Sequence, residues 1–110
     1  MTRTFIETQE FTRNWGELGL EDQDLRRLEL EILRNPKAGK VIRGTGGLRK
    51  LRFAFEYMGK SGSARVCYVD FPSKETVYLI TIYPKNEKDS LTRAECKSIS
   101  KLIQVLEHST

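Results

Sequence analysis

The chain has 110 residues, a net charge of +4 and two cysteines. This length has room for one domain, which we place at residues 1–110. No apolar run approaches the roughly 20 residues of a membrane-spanning helix, and the opening MTRTFIETQE lacks the apolar segment of a signal peptide. Cys67 and Cys96 lie in apolar patterns without metal-ligand spacing, which is typical of reduced thiols. The protein is therefore expected to be cytoplasmic, with no membrane partner.

The first third of the chain predicts a short strand followed by two helices. Residues Thr4–Thr8 are the candidate strand, and Phe11–Leu18 has its large apolar residues at helical spacing. A second amphipathic helix is predicted from about Glu21 to Arg34, because apolar residues recur at the i, i+3, i+7, i+8 spacing. The Asn35-Pro36 pair ends it, since the residue before a proline is steered out of the helical region.

The middle of the chain predicts a loop and three strands joined by short connections. In chain order these are a loop at 36–47, a strand at Leu48–Phe55, a flexible basic connection at Glu56–Ser63, and strands at Ala64–Asp70 and Thr76–Tyr83. Short connections of this kind favour an antiparallel meander.

The last segment predicts a well-delimited helix. Thr92 and Glu95 fit a capping box, and an apolar stripe follows, made of Cys96, Ile99, Leu102, Ile103 and Leu106. The fold class is therefore α+β: an N-terminal strand and a helical pair packed on an antiparallel β-meander, with a C-terminal helix. We expect the helices to cover one face of the sheet and to leave the other partly open.

The positive charge is concentrated in the middle of the chain. Residues 1–36 carry a net charge of −3, whereas residues 37–65 carry eight Lys or Arg against one Glu, a net charge of +7. Such asymmetry in a small domain predicts an anionic partner, and nucleic acid is the leading candidate. The alternative is a lysine-rich solvated loop, but half of these cations fall in predicted strands.

Strand periodicity places several of these cations on one face. If Leu51 and Phe53 point to the core, Lys50 and Arg52 point to the open face. By the same alternation Arg65 lies beside them on the next strand, and Lys85 follows the third strand at the margin of the sheet. Like charges packed together are unfavourable unless an anion arrives. The expected site is a cationic sheet face.

The chemistry open to such a face is metal-free handling of a phosphodiester. The sequence has no zinc-protease, P-loop or CxxC motif, and its one histidine, His108, lies near the C-terminus. No second acidic group accompanies Glu56 in the basic half, so a two-metal nuclease is not expected, and no cofactor is implied. In RNA, the 2′-hydroxyl attacks the adjacent phosphate when a base, a cation and an acid are in place.

The segments GTGGLRKLRF, SARVCYV and YLITIYPKNEKDSLT, in this order and followed by a capped helix, resemble the RelE/HigB superfamily of bacterial type II toxins, and the HigB branch more closely. The resemblance covers nearly the whole chain. It implies a RelE-like fold and a small endoribonuclease that cuts messenger RNA on the translating 70S ribosome. The implied partners are a cognate antitoxin protein, the ribosome with its RNA, and mRNA.

The resemblance also implies four catalytic residues, Lys50, Arg52, Arg65 and Lys85. Lys50 or Lys85 would be the base, Arg52 a phosphate contact, and Arg65 a bidentate grip on the scissile phosphate. The arginine read as the acid in RelE-like members falls on Asn86, with Lys85 the nearest substitute, and Thr92 stands where some members have a tyrosine. The candidates for RNA or ribosome binding are Lys37, Lys40, Arg43, Arg49, Lys60 and Lys88.

Two other functions compete with the ribonuclease. A ParE-type relative shares the fold, lacks the catalytic cations and poisons DNA gyrase. A non-catalytic RNA-binding module would need the same basic face, but few aromatic residues are available there to stack on bases.

Overall fold

The computed structural model describes residues 2–57, 60–88 and 90–109 and confirms the α+β class. Its elements, in chain order, are β1 (Thr4–Glu7), α1 (Gln9–Glu17), α2 (Asp22–Arg34), β2 (Lys40–Val41), β3 (Arg49–Tyr57), β4 (Lys60–Phe71), a 3-10 turn (Pro72–Lys74), β5 (Thr76–Pro84) and α3 (Arg93–His108). Within the described residues, no helix combines the length and the apolarity that crossing a bilayer requires.

The five strands form one mixed sheet in the order β1-β5-β4-β3-β2. The predicted meander is confirmed, since β3, β4 and β5 pair antiparallel with their sequence neighbours. β1 lies parallel to β5 and closes one side of the sheet. The sheet is therefore built around β4 and β5, and β2 covers only the first residues of the outer edge of β3.

Two segments differ from the sequence-based expectation. The loop predicted for 36–47 contains β2, in which Lys40 pairs with Lys50. The connection predicted at Glu56–Ser63 is largely strand, because pairing continues as far as Tyr57 and Lys60. Both errors have one cause: ladder hydrogen bonds join backbone groups, so a strand extends into residues that lack the apolar alternation used to predict it.

One face of the sheet is covered by α1 and α2. The Thr8 hydroxyl accepts a hydrogen bond from the Phe11 N–H (3.1 Å) at the start of α1, and the Glu21 N–H donates to Asp24 (2.9 Å) at the start of α2. Their apolar residues meet the even-numbered residues of β4 in a core made of Phe11, Trp15, Leu20, Leu28, Ile32, Phe53, Ala64, Val66, Tyr68, Val77, Leu79 and Ile82. The predicted bounds of α2 are confirmed within one residue.

The opposite face is covered by α3, which corrects the expectation of an open second face. The apolar stripe of α3 packs against a second core made of Leu48, Cys67, Val69, Ile80, Tyr83 and Ile103. The capping box that the sequence predicts at Thr92 and Glu95 is present. At the other end, the ammonium group of Lys74 donates to the carbonyls of Leu106 (2.8 Å) and Glu107 (2.7 Å), which ties the C-terminus of α3 to the turn before β5.

Candidate functional site

Three of the four expected catalytic cations line one groove on the α3 side of the sheet. Arg52 of β3 is directly paired with Arg65 of β4, and Lys50 is paired with Cys67 one step along. The residues around the groove are Ala38, Lys40, Lys50, Leu51, Arg52 and Arg65. Side chains at alternate strand positions share a face, and for this reason the sequence pattern brings these cations together.

The cations of this groove, which we call the β3–β4 groove, are not neutralised by carboxylates. The ion pairs among the described residues are Arg3–Asp70, Arg27–Asp24 and Lys88–Glu95. None of them involves Lys50, Arg52 or Arg65. Arg52 also borders a groove lined by Asp24 and Arg27, but Asp24 is paired with Arg27. Two arginines opposite each other without an ion-pair partner repel, and the repulsion is relieved when an anion binds.

The fourth expected catalytic cation, Lys85, lies outside the β3–β4 groove. Its side chain is exposed and borders a neighbouring groove lined by Leu18, Phe55, Gly62, Ser63, Pro84, Asn86 and Glu87. The N–H of Lys85 donates to the Ser63 carbonyl (3.3 Å), which continues the β4–β5 ladder by one residue. Leu18 and Phe55 are partly buried and pack against the core under α1 and α2. The structure therefore does not bring Lys85 into the β3–β4 groove.

Lys88, expected to contact RNA, is engaged within the protein. Its ammonium group lies 2.6 Å from Glu95 Oε2 and 5.0 Å from the centre of the Tyr83 ring. The hydrogen bond from Lys88, together with the Thr92 N–H, holds the pKa of the Glu95 carboxyl below its ordinary value. This ion pair joins the segment after β5 to the first turn of α3.

The remaining RNA-binding candidates fall into three groups. Lys37, Lys40 and Arg43 are exposed. Arg49 instead donates to the carbonyls of Gly39 (2.8 Å) and Lys37 (3.3 Å), so its guanidinium holds the loop before β2. The side chain of Lys60 lies outside the described part of the chain.

Tyr83 adjoins Arg65 at the edge of the site, which the sequence did not indicate. It is paired with Arg65 across β4 and β5, and it is 5% exposed. Burial raises the pKa of its phenol, the nearby Cys67 thiol raises it further, and the charge of Arg65 opposes both. The alternation of residues along β5 indicates which face of the sheet Tyr83 shares. Its position opposite Arg65 could not be predicted, because it depends on the β4–β5 register, which is shifted between Cys67 and Tyr68.

The GTGG segment positions the start of β3. Gly44, Gly46 and Gly47 all have positive φ (80°, 81° and 116°), a conformation that favours glycine. Between them the buried Thr45 hydroxyl donates to the Ile42 carbonyl (2.6 Å) and accepts from the Leu48 N–H (3.1 Å). The glycines thus form a turn that fixes where β3 begins, and with it the face on which Lys50 lies.

The thiols and acidic groups of the described residues are not arranged as a metal site. Cys67 and Cys96 are free, and burial raises the pKa of Cys67 to about 12, so its thiol remains protonated. Among the described ranges, no group of three His, Cys, Asp or Glu side chains is placed to hold a metal ion.

Comparison with known proteins assigns this architecture to the RelE-like α+β fold, although no family model matches the sequence. A double arginine-to-alanine mutant of the E. coli toxin RelE in the free state has 17% identity and a TM-score of 0.57, over 94% of this chain and 98% of that one. The isolated E. coli RelE toxin has 16% identity and a TM-score of 0.54, over 92% and 99%. At these identities the likeness establishes the fold, and the HigB branch stays a prediction.

Proposed function

We propose that this protein is the toxin of a type II toxin–antitoxin system, a HigB-like, metal-independent endoribonuclease that cleaves mRNA on the translating ribosome. The observation that carries the proposal is the β3–β4 groove, in which Lys50, Arg52 and Arg65 converge without carboxylate partners. The groove lies on a fold shared with proteins described as E. coli RelE toxins. The cognate antitoxin and the 70S ribosome are the partners that this proposal entails.

The groove suits cleavage by the RNA's own 2′-hydroxyl. In the proposed reaction Lys50 accepts the proton of that hydroxyl, and the 2′-oxygen forms a bond to phosphorus. Arg52 and Arg65 bind the non-bridging oxygens, whose negative charge increases in the transition state. The bond from phosphorus to the 5′-oxygen then breaks, and the leaving oxygen takes up a proton. The products are a 2′,3′-cyclic phosphate and a 5′-hydroxyl.

Lys85 is the proposed donor of that last proton, although it borders the neighbouring groove. An RNA strand that passes from the β3–β4 groove toward the end of β5 would meet both. The exposed cations Lys37, Lys40 and Arg43 are proposed to contact ribosomal RNA. Contacts of this kind weaken as salt is added, whereas loss of a catalytic group does not imitate a salt effect.

Induced expression in bacteria tests the proposal. We expect the parent chain to arrest growth and Arg65→Ala to relieve the arrest while its circular dichroism spectrum stays that of a folded protein. Arg13→Ala is the matched control, because Arg13 is exposed on α1, away from the groove. An Arg65→Ala variant as toxic as the parent would contradict the role of Arg65.

Mapping of mRNA 5′ ends after brief induction separates the competing functions. Cuts inside translated codons support the ribonuclease. Intact transcripts with stalled replication would identify a gyrase poison, and the retained cations of the groove argue against that outcome. Intact transcripts with normal replication would support the third function, a non-catalytic RNA-binding module.

A further inference from the structure

Two buried polar atoms beside the β3–β4 groove lack a hydrogen bond of normal geometry among the described residues: Nη1 of Arg65 and the hydroxyl oxygen of Tyr83. The Cys67 thiol lies close to the Tyr83 hydroxyl, but sulfur is a weak acceptor. Both atoms are shielded from solvent, and Tyr83 as a whole is 5% exposed. Buried polar groups in folded proteins are almost always hydrogen-bonded, because an unpaired one forfeits its hydration without compensation. Two such atoms on a directly paired couple of residues therefore need an explanation.

The two side chains are cross-strand neighbours. Arg65 and Tyr83 are paired in the β4–β5 register, so both project from the α3 face of the sheet. Directly opposed residues have Cβ atoms about 4.5–5.5 Å apart. Arg65 also lines the β3–β4 groove, where Arg52 and Lys50 lie on its other side. Lys88, the ion-pair partner of Glu95, lies over the Tyr83 ring. Tyr83 does not itself line the β3–β4 groove; with Lys88 it borders a separate groove.

The chemistry of the pair calls for an acceptor. A guanidinium can only donate hydrogen bonds. Burial keeps the pKa of the Tyr83 phenol above its ordinary value, so its O–H remains a donor at physiological pH. Because the Cys67 sulfur is only a weak acceptor for Tyr83, the two donors are better matched by one oxygen atom with two lone pairs, and a negative charge on that oxygen complements the arginine.

We propose that Tyr83 and Arg65 together bind one non-bridging oxygen of a phosphate held in the β3–β4 groove, which makes Tyr83 a substrate-contacting residue. Lys50 and Arg52 face the remaining oxygens from β3. The inference rests on the proposed function for the identity of the substrate, but phosphate binding itself is measurable without RNA cleavage. An ordered water molecule would also accept two hydrogen bonds, and the experiment distinguishes it from an anion.

Tyr83→Phe tests the subsite, because it removes the hydroxyl and keeps the ring. The measurements are the affinity for inorganic phosphate, from ³¹P line broadening at constant ionic strength, and the melting temperature in phosphate-free buffer. We expect phosphate affinity to fall about tenfold or more, while the melting temperature stays the same or rises, because an unpaired buried group is lost. Tyr78→Phe on the same strand is the matched control.

The outcomes also separate this inference from the proposed function. A lower melting temperature with unchanged phosphate affinity would mean that the Tyr83 hydroxyl is structural or binds water, and the subsite would be rejected. A parent protein that does not bind phosphate would reject it as well. If phosphate binding depends on Tyr83 but mRNA stays intact, the subsite stands and the ribonuclease proposal fails. If the parent and Tyr83→Phe bind phosphate equally and both cleave mRNA, the ribonuclease proposal stands and the subsite is rejected.

Discussion

Arg52 and Arg65 lie directly opposite each other on antiparallel strands, with no carboxylate paired to either among the described residues. Like charges at directly opposed positions destabilise a sheet. Sequences that maximise stability avoid this arrangement, and a rule broken without local compensation commonly marks a functional site. The Arg52–Arg65 pair is therefore expected to destabilise the sheet, and it also lies at the centre of the proposed active site.

Arg52→Gln should stabilise the protein. Removing one of the two opposed charges is expected to raise the free energy of unfolding by about 0.2–1 kcal/mol at low salt. The gain should shrink as KCl is added, because exposed charges are screened. Urea denaturation at two salt concentrations measures it, with the exposed Arg43→Gln as control. A variant less stable than the parent at low salt would show that the opposed charges are not repulsive.

Lys50→Met should reduce mRNA cleavage more than Lys85→Met. Loss of a general base typically costs 10²–10⁴ in rate, and Lys50 lies in the β3–β4 groove whereas Lys85 borders the neighbouring one. Cleavage of mRNA on purified ribosomes, followed by 5′-end mapping, gives both rates. The opposite ranking would transfer the role of base to Lys85.

Tyr68→Phe should destabilise the loop before β2. The buried Tyr68 hydroxyl donates to the Pro36 carbonyl (2.8 Å) and accepts from the Gly39 N–H (3.1 Å). Its removal leaves both backbone groups unpaired, which is expected to lower the free energy of unfolding by about 1–3 kcal/mol. Urea denaturation measures the loss, with Tyr78→Phe again the control. Equal stability of the two variants would mean that water replaces the hydroxyl.

Glu95→Gln should lower the melting temperature at neutral pH and not in acid. The Glu95 carboxyl has a pKa below its ordinary value of 4.5 in the folded state. Its ionised form is therefore favoured by folding, and this contribution is present above pH 4.5 and lost as the pH falls through the lower, folded-state value. The difference between parent and variant should begin to shrink as the pH falls below 4.5 and should vanish below the folded-state pKa of Glu95. A constant difference across that range would assign the effect to packing.

Local sequence patterns were sufficient for several parts of the fold. The capping box at Thr92 and Glu95 placed the start of α3, and strand alternation placed Lys50 and Arg52 on the same face as Arg65. These features depend on residues within a few positions of one another, or on the period of two along a strand, and both can be read without knowing what packs against them.

Only the tertiary structure decided the features that depend on contacts between distant segments. The side of the sheet that α3 covers, the parallel pairing of β1 with β5, and the separation of Lys85 from the β3–β4 groove all follow from how whole elements pack. The proximity of Tyr83 to Arg65 depends on a strand register that includes an irregularity. Periodicity fixes which side chains share a face, whereas register and packing are set by the folded chain as a whole.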